Sequence, residues 1–160
     1  MKIEIVKSSL LSGNQAIIYD VMIDDNDILF ERFVQENVEK HRAEIKNILD
    51  KLRTIGQITG ARSSYFKEKE GALGDGVCAM FDLPDKKLRL YCVRYGTEII
   101  ILGGGGIKKV RAWQEDPKLL AEASLIIKIA NKINQSISNK DIEFADNFRA
   151  FEGEMIFEID

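Results

Sequence analysis

The chain has 160 residues, 45% of them hydrophobic and 31% charged, with a formal net charge of -3. That size and balance fit one soluble globular domain able to bury a core without disulfides or a structural metal. No segment approaches the ~20 apolar residues of a membrane span and MKIEIVKSSLL lacks an apolar signal core, so no membrane partner and a cytoplasmic location are expected.

In chain order, Lys2–Lys7 alternates and reads as a strand, Ser12-Gly13-Asn14 as a turn and Gln15–Ile23 as a second strand. Asp24, Asp25 and Asp27 stand where a helix is expected to begin, with Asp27 as its N-cap; the run lacks the acceptors and the glycine of a calcium loop. From Ile28 to Ile55 the apolar residues fall at helical spacing, as one helix or two broken near Asn37–His41, with Gly56 as the stop. The only histidine, His41, reads as structural or solvent-facing. Residues 57–75 read as a loop carrying Arg62, Tyr65, Phe66, Lys67 and Lys69, cations interleaved with aromatics in a manner that suits single-stranded RNA.

A meander of three antiparallel strands is expected over about 76–102, from the apolar runs Val77–Leu83, Leu88–Tyr95 and Glu98–Leu102 and the turns between them. In its middle strand Leu88, Leu90 and Cys92 share a core-like face, while Arg89, Tyr91, Val93 and Tyr95 share the other. A cation beside aromatic rings suits a phosphate and a stacked base. Cys78 and Cys92 lie inside strands and read as buried free thiols. Asp116-Pro117 caps a helix of about 116–135, and Glu154–Ile159 reads as a last strand.

Charge is unevenly spread. Residues 1–50 carry 6 Lys/Arg and 10 Asp/Glu, residues 51–111 carry 12 and 6, and residues 112–160 carry 5 and 10. The basic middle hints at an anionic partner. Gly103–Gly106 with Lys108 and Lys109 lacks the spacing and the Ser/Thr of a phosphate loop, and fits a bulge or close backbone approach as well. There is no His pair, no Cys-X-X-Cys and no G-x-S-x-G, so metal, redox and triad chemistry have no motif, and no cofactor is expected. A reaction run by cations remains. RNA supplies its own 2′-hydroxyl nucleophile, and Arg and Lys stabilise the charged phosphorane. The candidate catalytic residues are Arg89, Tyr91, Arg94, Lys108 and Lys109; Arg62, Lys67, Tyr95 and Arg111 are candidate RNA contacts.

The order of elements resembles the RelE/HigB-like toxins of type II toxin–antitoxin modules. The similarity is carried by Ile48–Gly56, by Gly74-Asp75-Gly76-Val77, by Leu88-Arg89-Leu90-Tyr91-Cys92-Val93-Arg94, and by Ile99-Ile100-Ile101-Leu102-Gly103 followed by Lys108-Lys109. It covers roughly residues 15–135 and leaves an extra N-terminal strand within 1–14 and an acidic extension at 137–160. The resemblance implies an α+β fold with helices on one face of a small antiparallel sheet. It also implies a metal-independent endoribonuclease that cleaves mRNA, often on the ribosome, neutralised by a cognate antitoxin protein. Arg89 and Arg94 would correspond to the family's strand arginines, and Lys108 and Lys109 to its basic residues closing the sheet.

Such toxins are usually strongly basic, whereas this chain has a pI near 5.4. The extension holds 2 basic and 7 acidic residues, and it or the antitoxin is expected to cover the basic face as a phosphate mimic. The alternative is a non-catalytic module of the same fold that binds a protein partner, with Arg89 and Arg94 in salt bridges and the Glu98–Leu102 edge open to strand addition.

Overall fold

The computed structural model describes residues 1–67, 76–80, 87–109 and 115–160. Within them the chain is α+β, with three α-helices and a mostly antiparallel sheet. The strands are β1 (Lys2–Lys7), β2 (Ile17–Ile23), β3 (Asp27–Ile28), β4 (Phe66–Lys67), β5 (Val77–Met80), β6 (Leu88–Tyr95), β7 (Ile99–Ile107), β8 (Ile142–Ala145), β9 (Ala150–Gly153) and β10 (Ile156–Glu158). The helices are α1 (Leu29–Asn37), α2 (Arg42–Thr54) and α3 (Pro117–Ser138). The main sheet runs β10-β1-β2-β7-β6-β5-β4, with β3 beside β2, and β8 and β9 form a separate hairpin. Among the described residues only the β2–β7 pairing is parallel.

The meander expected over 76–102 is present as β5, β6 and β7, and residues 81–83 of its first strand lie outside the described residues. β7 runs on through the glycines to Ile107 rather than ending at Leu102. Gly103 and Gly104 together face Tyr91 alone, a bulge that uses glycine because α3 presses on the strand there. The predicted helical stretch is two helices. Its start differs from expectation: Asp24 and Asp25 form a left-handed turn, Asp27 lies in β3, and Ile28 is the N-cap. Asp24 Oδ1 instead accepts from Lys2 N at 2.8 Å, and Asp25 pairs with Lys2 Nζ at 2.9 Å. The Asp116 carboxylate caps α3 by accepting from Lys118 N and Leu119 N.

Helices cover both faces of the sheet, not one. α3 buries Leu119, Ala123, Ile126, Ile129, Ala130 and Ile133 against Tyr19, Val21, Tyr91, Val93, Ile99 and Ile101. α1 and α2 bury Phe30, Phe33, Ile45, Ile48 and Leu52 against Ile18, Leu90, Cys92, Ile100 and Leu102. β6 and β7 are apolar on both sides, and such strands need a cover on each face. Cys78 and Cys92 are free thiols in register across β5 and β6, both buried. Burial, then the neighbouring Cys78, pushes the Cys92 thiol well above its ordinary value.

The acidic extension adds a strand at one edge of the sheet and packs its hairpin on the end of β6. β10 joins β1 at the edge of the sheet opposite β4, and the β8–β9 hairpin places Phe144 and Phe151 against Tyr95, with Phe151 also against Tyr19. Tyr19 Oη accepts from Phe151 N at 2.9 Å. The extension thus completes the sheet and the core.

Candidate functional site

The nine candidates from the sequence divide between places. Arg89 and Tyr91 face α3, since odd positions of β6 point that way. Tyr91 is fully buried beneath α3, and Arg89 is only 7% exposed, with Nη1 donating to Leu88 O at 3.2 Å. The face expected to meet RNA is therefore a second core face. Arg94 points the other way: its Nε donates to Ala61 O at 2.7 Å and its guanidinium lies over the Phe66 ring. Tyr95 Oη donates to Asn134 Oδ1 of α3 at 2.7 Å, and its ring meets Phe144 and Phe151 edge-on. Arg62 and Lys67 are exposed near the β4 edge, Lys67 in register with Ala79 and so on the α3 face, and Arg111 lies outside the described residues.

Lys108 and Lys109 follow β7, where Lys108 N donates to Lys87 O at 2.6 Å. At this end of the sheet the C-terminus of α1 and the N-terminus of α3 enclose a cleft of about 520 Å³. Its floor is Gly106 and Ile107, and its walls carry Glu36, Asn37, Lys109, Glu115 and Lys118. Pockets of this size accept a small ligand or a nucleotide unit. Gly106 is level with Arg89 in register, so Arg89 lies beside the floor, on the next strand and on the same face.

Lys118 is held in place by two carboxylates, Glu122 Oε1 at 2.9 Å and Glu36 Oε1 at 3.2 Å. Burial lowers the affinity of its ammonium for a proton, but both carboxylates raise it and prevail, so the pKa lies above the ordinary value and the group stays charged at neutral pH. Glu122 is buried, and its Oε1 also accepts from Arg32 Nη2 of α1 at 2.7 Å. The other oxygen, Oε2, makes no hydrogen bond and packs on Gly104, where a Cβ would displace it. Among the described residues no cluster of His, Cys, Asp and Glu is arranged to hold a metal ion.

Glu36, Lys118, Glu122 and Arg32 were not singled out in the sequence. Their spacing was visible, because Arg32/Glu36 and Lys118/Glu122 are both i,i+4 pairs on helices. That these two pairs face each other across α1 and α3 is a tertiary fact. No protein family, no curated protein and no solved structure matches this chain. No helix among the described residues is long and apolar enough to cross a membrane.

Proposed function

We propose that the chain is the toxin component of a toxin–antitoxin module, a metal-independent endoribonuclease whose site is the cleft between β7, α1 and α3. The observation that carries this reading is the convergence of Lys109 and Lys118 with Glu36 and Glu115 on one nucleotide-sized cleft. The order of elements supports it as well: a strand, a helix pair, a meander and a final helix follow the order of the toxins that the sequence resembles.

In this reading Lys109 and Lys118 hold the scissile phosphate of mRNA. The arriving phosphate competes with Glu36 for the Lys118 ammonium, which leaves the Glu36 carboxylate available to take the 2′-hydroxyl proton. The 2′-oxygen bonds to phosphorus, the bond from phosphorus to the 5′-oxygen breaks, and the departing oxygen takes a proton from solvent. Lys109 and Lys118 stabilise the charge that builds on the phosphorane. Arg89 acts from beside the floor through the long-range field of its guanidinium. The protein partner is a cognate antitoxin, and the setting is the cytoplasm, free or on the ribosome.

The test is incubation of purified protein with mRNA in EDTA, followed by end-group analysis. Fragments ending in 2′,3′-cyclic phosphate, and their loss in Lys109→Ala and Lys118→Ala, are expected. Intact RNA with the wild-type chain, under conditions where it binds RNA, would overturn the nuclease reading. A second reading is favoured by the burial of Arg89 and Tyr91 beneath α3: a non-catalytic module of the same architecture that binds a protein partner. Binding of that kind would resist salt, whereas phosphate contacts weaken steeply with it.

A further inference from the structure

We infer that a second cleft, at the opposite end of the sheet from the first, is a binding site for a phosphate group. It encloses about 410 Å³ where β1 ends and β2 begins, and is lined by Lys7, Ser9, Ser12, Asn14, Asp146 and Arg149. The first cleft lies where β7 ends, and β2 begins level with the start of β7, so the length of β7 separates the two. The inference does not depend on the nuclease reading.

The loop that forms one wall is built as a fixed platform. Ser12 Oγ accepts from Ile18 N at 2.9 Å and donates to Ile18 O at 3.1 Å, while Gly13 N donates to Ala16 O and Ala16 N to Gly56 O. Gly13 has no room for a side chain, since a Cβ there would run into the Gly56 carbonyl. Ser12 is therefore spent on the backbone. The Lys7 ammonium, the Ser9 hydroxyl, the Asn14 amide and the Arg149 guanidinium are not: among the described residues their side chains have no hydrogen-bond or ion-pair partner. Arg149 is partly exposed and Lys7, Ser9 and Asn14 are exposed, so all four groups are accessible to a ligand.

The opposite wall is a turn that directs Arg149. Asp146, Asn147 and Phe148 are left-handed in succession, with φ of 53°, 58° and 66°, and Arg149 N closes the turn on Ala145 O at 3.1 Å. Asp and Asn adopt this conformation readily, so Phe148 is the member of the run that bears its cost, about 1 kcal/mol. Two cations, a hydroxyl and an amide converging on one cleft form a donor set for the oxygens of a phosphate. Asp146 offsets one of the two positive charges, so affinity on the order of millimolar is expected.

Free phosphate and a nucleotide are the two sources of such a group; the turn that presents Arg149 also presents the exposed ring of Phe148, to which a base can stack. The test is titration of the ¹⁵N-labelled full chain, followed by NMR, with inorganic phosphate in one arm and adenosine 5′-monophosphate in the other. The amides of Ser9, Gly13, Asn14 and Arg149 are expected to shift together and to saturate. Arg149→Ala and Lys7→Ala are each expected to weaken binding about tenfold, and Arg149→Lys less. A nucleotide source shows as about tenfold tighter binding in the second arm, lost in Phe148→Ala. If those four amides stay still in both arms, or shift equally in a folded Lys7→Ala/Arg149→Ala chain, the site is overturned, whatever happens at Gly106.

Discussion

Arg32 of α1 donates to Glu122 of α3 at 2.7 Å, an ion pair between helices that pack on opposite faces of the sheet. It passes the end of β2, which leaves β7 after Asp20 and pairs with β3 instead. Glu122 is buried while Arg32 and Lys118 are more than a third exposed, so solvent screens part of the attraction. Glu122→Ala is expected to cost about 2 kcal/mol. In a double-mutant cycle with Arg32→Ala, measured by urea unfolding, a coupling of about 1 kcal/mol is expected; additive losses would mean that the pair contributes nothing to joining the layers.

The glycines of β7 are not equivalent. A Cβ at Gly105 would run into the Arg89 carbonyl, which belongs to the paired backbone of β6 and has nowhere to go. At Gly106 its nearest neighbour would be the flexible Lys118 side chain at 3.2 Å. Gly105→Ala is expected to cost about 3 kcal/mol or prevent folding, and Gly106→Ala to cost no more than about 1 kcal/mol. Thermal unfolding of the two variants side by side decides it, and equal losses would contradict the packing described.

Asp20 is half-buried where β2 and β7 part. Burial first, and the Glu31 carboxylate second, push its pKa from 3.8 to about 6. The folded chain thus holds this proton at a pH where the unfolded chain has released it. The favourable contribution is complete below about pH 3.8 and is lost as pH rises through about 6. Asp20→Asn is expected to gain about 1–2 kcal/mol at pH 7.5, after allowance for solvent, and nothing at pH 3.5. Denaturant unfolding across that range checks it, and a gain independent of pH would show that the shift is not the cause.

Tyr95 ties the end of β6 to α3 through Asn134 and to the hairpin through two rings. Tyr95→Phe keeps the ring contacts and is expected to cost about 1 kcal/mol, the worth of one hydrogen bond. Phe151→Ala removes contacts to Tyr19, Tyr95 and Phe144 together and is expected to cost about 3 kcal/mol. Near-ultraviolet circular dichroism should report both, with the larger loss of signal in Phe151→Ala.

Local chemistry made much of this readable from the chain. Asp116-Pro117 marked the start of α3, Gly96 the turn between β6 and β7, and the thinning of apolar residues near Asn37 the break between α1 and α2. Alternation along β6 correctly grouped Arg89 with Tyr91, but a period of two reveals which residues share a face and not whether a helix lies over it. The β8–β9 hairpin escaped because its turn uses Asp146, Asn147 and Phe148 where a glycine would have announced it. At the first cleft, Lys108 and Lys109 stood out as a basic pair. Glu36 and Lys118 did not, because nothing near either residue tells which helix it will face.

The parallel seam between β2 and β7 also bears on how the chain acquires its structure. Only four residue pairs form it, Ile17 to Asp20 with Ile99 to Leu102, and the partners are about 80 residues apart. On one side β1, β2 and β3 can form hairpins from neighbouring residues, and on the other β5, β6 and β7 can do the same. Closing the seam brings these two local units together at a large entropic cost and with few bonds in return. A substitution in the seam such as Ile18→Val would therefore slow refolding, and because the β6–β7 hairpin can form before the seam closes, equivalent changes there would slow refolding too rather than speed unfolding.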